Sequence, residues 1–298
     1  MKNEKNKILD KIDYILDCEF MIKNSVSDYD KNELLNIIKN YNISVFFIIK
    51  RKIKNFITFI YNVIFSEKKN FTVSRNVLNV KNKYDLLVGK YTDDYFDDKK
   101  NFFAQKDNKI LKINGSIKDY YGSCISKIIK LTDSKNIIEI GAGELTQYYV
   151  VKKNLDKYGF NLEKQACLDL SIKRLIEGKK RLNFSDNLKL IQADARAIPV
   201  LDNEYELAYT CHCLEQVPHI FENCINEIVR ISSKYIILIE PSLEKSNQIT
   251  KKHIFKKNYI RIDDHKLSKI RNIKSINRFK MPLIQYVNGA EIIILEKK

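Results

Sequence analysis

From residue 136 to residue 241 the chain alternates short apolar runs with stretches of helical spacing. The runs are IIEI (137–140), ACLDL (166–170), LKLIQA (188–193), ELAYT (206–210) and YIILIE (235–240). Runs this short and this apolar read as strands buried on both faces. Strands that alternate with helices predict a parallel sheet covered by helices on each side. The tail holds two more candidate strands, IKSINRF (273–279) and AEIIILEK (290–297), with no long helix between them. That spacing predicts an antiparallel hairpin closing the sheet edge.

The first part of the chain has a different texture. Ile8, Ile12, Ile15 and Leu16 recur at helical spacing, as do Leu34, Ile37 and Ile38. Residues 44–65 are apolar around a basic knot of Lys50, Arg51, Lys52 and Lys54. Such a segment reads as a helix packed on the main domain, or as one lying on an anionic membrane surface. Residues 67–115 are mixed, with short strands and turns expected. The predicted organisation is an N-terminal, mainly helical extension over 1–116 and an α/β domain over 117–298.

Charge matters through its placement. The net charge is +16, and residues 245–280 alone carry 12 basic and two acidic side chains. A local excess of that size attracts anions. The six cysteines are scattered and form no CxxC pair, which fits the reducing cytosol. The opening MKNEKNKILDKIDYILD carries both signs of charge, unlike a secretory leader. The expected location is cytoplasmic, with 44–65 as the one candidate for peripheral membrane contact.

Three strand ends carry chemistry. Glu139-Ile140-Gly141-Ala142-Gly143 ends the first run and opens a helix. Glycines at such a turn let backbone approach a ligand closely. The third glycine of a dinucleotide fingerprint is absent, since that position is Thr146. An acid before the turn, Glu139, suits a cationic ligand. Asp169 ends the second run, where a carboxylate accepts from ribose hydroxyls. Asp194 ends the third, placed to accept from an exocyclic amine. Ligands of open α/β sheets bind along this edge. An adenine, a ribose and a cationic amino-acid end together describe S-adenosyl-L-methionine.

IIEIGAGEL, CLDLS, QADARAIP, DNEYELAYTCHCLEQVPH and IILIEP resemble class I SAM-dependent methyltransferases, in particular those of quinone pathways and of surface sugars. The likeness runs over 117–298 and rests on 136–241. It implies a Rossmann-like, seven-stranded, mostly parallel sheet with an antiparallel C-terminal strand. It also implies cofactor contacts from Glu139, Gly141, Ala142, Gly143, Asp169, Leu170, Asp194, Ala195 and Cys211. Where that family often has a further glycine, this chain has Leu145, which would crowd the turn.

After the fourth run comes Thr210-Cys211-His212-Cys213-Leu214-Glu215-Gln216-Val217-Pro218-His219. Methyl transfer to a hydroxyl needs a base, and histidine serves at neutral pH. His212 is the first candidate, with Glu215 and His219 next. The cysteines and histidines here lack zinc-knuckle spacing, so no metal is expected. Glu240-Pro241 closes the fifth strand, and the basic segment follows at the same edge. Lys251, Lys252, Lys256, Lys257 and Arg261 are expected to face the acceptor mouth. The leading expectation is SAM-dependent methyl transfer to oxygen of an anionic small molecule or glycan. An RNA methyltransferase is the alternative suggested by basic charge. A SAM-binding, membrane-docking protein without catalysis is the alternative suggested by Leu145.

Overall fold

The computed structural model describes residues 8–26, 29–41, 77–184, 187–260 and 262–298. The segment 44–65 and Arg261 lie outside the described residues. In chain order come α1 (Ile12–Leu16), α2 (Glu19–Ile22), β1 (Ser25–Val26) and α3 (Lys31–Tyr41). Next are α4 (Val77–Asp85), α5 (Lys90–Phe96), β2 (Asn101–Lys106) and β3 (Lys109–Asn114). The main domain then runs α6 (Ile117–Leu131), β4 (Asn136–Ile140), α7 (Thr146–Lys157), β5 (Lys164–Asp169), α8 (Ile172–Arg181) and β6 (Leu188–Gln192). It continues with β7 (Tyr205–Cys211), α9 (Phe221–Ile231), β8 (Ser232–Glu240), α10 (Gln248–Lys257), α11 (Asp264–Ser268), β9 (Ile273–Lys280), β10 (Leu283–Gln285) and β11 (Glu291–Lys297).

Seven strands form one sheet in the order β6-β5-β4-β7-β8-β11-β9. The pairs from β6 to β8 are parallel, and β11 is antiparallel to both its neighbours. This is the Rossmann-like architecture. The tail hairpin does not simply extend the edge, because its second strand inserts between β8 and the first. Burial explains the order. Glu291 to Leu295 of β11 are all buried, whereas β9 is half-buried along most of its length and takes the exposed edge.

Side chains of each strand alternate between two cores, one on either face of the sheet. Ile137 joins Tyr120, Ile125 and Ile128 of α6 and Val151 of α7, while Ile138 and Ile140 join Ile225 and Ile228 of α9. Each buried isoleucine contributes roughly 1.5–3 kcal/mol by leaving water. The helices start where the sequence caps them. The Ser116 side chain accepts from Lys118 N–H, and Ser171 accepts from Arg174 N–H.

A second, four-stranded sheet has the order β1-β3-β2-β10. Its last strand comes from near the C-terminus and pairs with β2 from Leu283↔Lys106 to Gln285↔Ala104. Tyr120 of α6 donates to Leu16 O at 2.8 Å, tying α1 to the main domain. Among the described residues no helix is long and apolar enough to cross a membrane.

Candidate functional site

The turn after β4 is held by β5. Gly141 N and Ala142 N both donate to Leu168 O, at 2.8 and 2.9 Å. Gly143 N donates to Asp169 Oδ2 at 2.9 Å, and Ser171 N donates to Oδ1 at 2.8 Å. Gly141 and Gly143 have φ of +76° and +54°, where a side chain is strained. Leu145 also adopts positive φ, +60°, which costs about 1–2 kcal/mol for a residue with a Cβ. Its side chain is fully buried in the core, a gain of roughly 1.5–3 kcal/mol that offsets the strain. Leu145 therefore turns into the core and is not part of the cleft wall. The expected crowding of the turn does not come from it.

One cleft opens at the carboxyl edge of β4, β5, β6 and β7. Gly141, Asp169, Leu170, Asp194, Ala195, His212 and His219 all line it. Asp169 is 8% exposed, and burial raises its pKa although Arg174 and the two amides oppose that rise. Asp194 is engaged by Arg196, which donates from Nη2 to Oδ2 at 2.7 Å and from Nε at 3.1 Å. That pairing outweighs burial and lowers the Asp194 pKa.

Glu139, Ala142, Gly143, Cys211 and Glu215 do not line the cleft. Strand alternation explains two of them. Glu139 shares the face of Ile137, is 2% exposed and accepts from Tyr209 Oη at 3.0 Å. Burial pushes its pKa up to about 8. It therefore offers no open charge to a ligand. Cys211 shares the face of Tyr209 and points its Sγ at Gln147 Oε1, 3.6 Å away. Gly143 is covered by the Arg174 side chain.

The loop after β7 is built around two carboxylates. His212 has φ of +53°, and its N–H donates to Ile239 O at 2.9 Å. His212 Nδ1 lies 2.8 Å from Glu215 Oε2, with Asn288 Nδ2 at 3.1 Å. A proton on Nδ1 directed at Glu215 leaves a lone pair on Nε2. Nε2 is buried and has no hydrogen-bond partner among the described residues. Burial would lower the His212 pKa, but the charge and hydrogen bond of Glu215, with Glu240 behind, raise it above the ordinary value.

Glu240, the last residue of β8, clamps this loop. Its Oε1 accepts from Thr210 Oγ1 at 2.8 Å and from Cys213 N and Leu214 N at 3.0 Å, and Oε2 accepts from Glu215 N at 3.0 Å. Burial first, then the Glu215 charge, pushes its pKa up to about 7. The folded chain thus keeps a proton that the unfolded chain sheds near 4.5. The contribution of Glu240 to stability accordingly falls as pH rises through that window. Glu240→Gln should flatten that slope. It should also speed hydrogen exchange at the amides of Cys213, Leu214 and Glu215 by roughly two- to tenfold, since one hydrogen bond is worth roughly 0.5–1.5 kcal/mol. Unchanged exchange at those three amides would remove Glu240 from this role.

The sequence reading missed Val80, Tyr84, Arg174, Arg196 and Cys213, all of which line the cleft. Arg174 and Arg196 stand close after Asp169 and Asp194, and a search for cations near strand-end acids would have found both. Val80 and Tyr84 come from α4, remote in sequence, and carry no local signal. None of Lys251, Lys252, Lys256 and Lys257 lines the cleft. Lys256 Nζ donates instead to Asn40 O at 2.8 Å. Among the described residues no group of three or more His, Cys, Asp or Glu is placed to hold a metal ion.

Residues 138–235 match the model of a family described as a methyltransferase domain. No curated protein matches the sequence. Among solved structures, the chain is similar to the CMeT domain of the citrinin polyketide synthase, at 16% identity and a TM-score of 0.48. That likeness covers 59% of this chain and 52% of the other, so this chain spans about half the length of that relative. It is also similar to magnesium protoporphyrin IX methyltransferase from Synechocystis with bound SAM, at 12% identity and a TM-score of 0.45, covering 60% of this chain and 79% of that one. The match spans about a third of the chain and falls on the parallel strands β4 to β7 and the start of β8, so this part of the sheet is similar to a SAM-dependent methyltransferase domain. The residues present fit its cofactor. Asp169 offers a carboxylate beside the apolar Leu170, Ala193 and Ala195, and the two left-handed glycines of the turn stand next to it.

Proposed function

We propose that the chain transfers a methyl group to an oxygen of an anionic small molecule or glycan, with His212 as the base. The observation that carries this reading is the His212 ring. It stands on the cleft wall with Nδ1 against Glu215 and a buried, unpartnered Nε2. S-adenosylmethionine, when bound, supplies an electrophilic methyl on a sulfonium. Asp169 would accept from its ribose hydroxyls, and Leu170, Ala193 and Ala195 would pack against its base. Nε2 would take the acceptor's hydroxyl proton as the methyl–sulfur bond gives way to the new O–C bond, leaving the neutral thioether S-adenosylhomocysteine, and Glu215 would stabilise the resulting imidazolium. Glu240 keeps His212 and Glu215 in register. Charge placement supports an anionic acceptor: Arg196 lies on the cleft wall, and the strongly basic segment 245–280 follows β8 in sequence.

Methyl-labelled SAM, offered with carboxylated or phosphorylated glycans and small molecules, should pass label to an acid- or phosphate-bearing acceptor. The Michaelis constant for that acceptor should climb with ionic strength, because screening sets in over about 8–10 Å. Label entering only neutral acceptors, with no effect of salt, would exclude the anionic class.

A further inference from the structure

We propose that Arg174 is the carboxylate-binding residue of the cleft, taking the amino-acid end of the cofactor, and that α4 and α5 hold it in place. The inference rests on the cofactor reading above and adds to it a residue and a role for the N-terminal region.

Arg174 sits in the first turn of α8, one turn past Asp169, and lines the cleft while only 7% exposed. Its guanidinium lies against two rings. The Tyr84 ring of α4 is 5.3 Å from Cζ, and the Tyr91 ring of α5 is 4.5 Å away. Both distances suit a cation over an aromatic face. On its inner side the guanidinium rests against the glycine turn. A Cβ added at Gly143 would lie 2.5 Å from Nη2, so only glycine leaves room for it.

The charge is balanced, but the donors are unspent. Arg174 Nε lies 3.6 Å from Glu144 Oε1, too far for a hydrogen bond. Both atoms are buried without a hydrogen-bond partner. The other oxygen, Glu144 Oε2, is committed to Thr92 N and Thr92 Oγ1, each at 2.8 Å. Both oxygens of Asp169 hold backbone amides. A guanidinium has five donors in a planar fork that matches a carboxylate. Burying such a fork unused is costly, and a ligand carboxylate removes that cost.

The surroundings select a zwitterion over a plain anion. Glu144 and Asp169 flank the guanidinium, and their charge would oppose a phosphate. An amino-acid end brings an ammonium with its carboxylate and matches a cation set between acids. The same contacts explain how α4 and α5 are fastened. Ser171 Oγ donates to Asp85, and Arg181 Nη1 donates to Gly89 O at 3.2 Å and to Asp93.

Calorimetry with two ligands tests this. S-Adenosylhomocysteine has the amino-acid end, and 5′-methylthioadenosine has the same nucleoside and thioether without it. Arg174→Met should weaken S-adenosylhomocysteine by roughly 10–100-fold, as expected for a lost charged hydrogen-bond pair. Its affinity for 5′-methylthioadenosine should move by less than about threefold on the same scale. Arg174→Lys keeps the charge and loses the fork, and should fall between. Decarboxylated S-adenosylhomocysteine binding to the unaltered protein repeats the test without a variant, and should be at least about tenfold weaker than the parent ligand. Equal weakening of both ligands by Arg174→Met, or undiminished binding of the decarboxylated ligand, would overturn the assignment. If the unaltered protein binds none of the three, the cofactor reading itself falls, and this proposal with it.

Discussion

His212→Ala is expected to lower methyl transfer by roughly 10²–10⁴-fold, the usual contribution of a positioned base. S-Adenosylhomocysteine affinity should stay nearly intact, because in the proposed reaction Nε2 takes its proton from the acceptor and makes no bond to the cofactor. The pH profile gives a second, independent readout. The base must be neutral, and its pKa lies above the ordinary 6.5 because Glu215 and Glu240 outweigh burial. Turnover should therefore fall as pH drops through that raised value, with the acid limb above 6.5. Stability runs the other way. A histidine whose folded pKa is raised stabilises the fold below its unfolded value, and that gain is lost as pH rises through the folded one. The His212 share of stability should start to fall near 6.5 and be lost by the same raised pKa at which turnover titrates, as read in melting and single-turnover measurements. A loss of cofactor binding equal to the loss of turnover would make His212 a wall of the pocket and nothing more.

Asp169→Ala carries the second large effect. It removes two expected bonds to ribose hydroxyls, each about 1.5–3 kcal/mol with a charged acceptor. Affinity for S-adenosylhomocysteine should weaken by at least about tenfold, since about 1.4 kcal/mol is a factor of ten. The structure adds a second consequence. Gly143 N and Ser171 N lose their acceptor, so the glycine turn comes loose from β5. A buried amide left unpaired costs about 1–3 kcal/mol, and the melting temperature should fall accordingly. Asp169→Asn keeps one acceptor oxygen and should retain part of both. Unchanged affinity in calorimetry would take Asp169 out of the cofactor site.

The sheet and its edge were legible because burial on both faces leaves a mark in sequence. Strands such as YIILIE have no polar face to offer water, so only a sheet covered on each side accommodates them. The strand-end residues Gly141, Asp169, Asp194 and His212 line one cleft, as expected of positions where parallel strands give way to loops. The same uniform burial hid which face each residue takes. Glu139 and Cys211 read as cleft residues from their place beside the glycine turn and the histidine, yet alternation turns both toward α6 and α7.

What the sequence by itself determined was the alternating architecture, the carboxyl edge that opens into the cleft and the residue types along it. Tertiary structure alone decided which partners hold those residues. Arg174 meets Tyr84 and Tyr91 across more than eighty residues of chain, and Glu240 reaches back to the amides of Cys213 to Glu215. Only the closed sheet order places β11 between β8 and β9, setting Glu291 opposite Glu240. The physical reason is range. Hydrophobic periodicity is a local property that repeats along the chain. A guanidinium against two rings or a carboxylate under a loop exists only when segments distant in sequence are brought within a few ångströms.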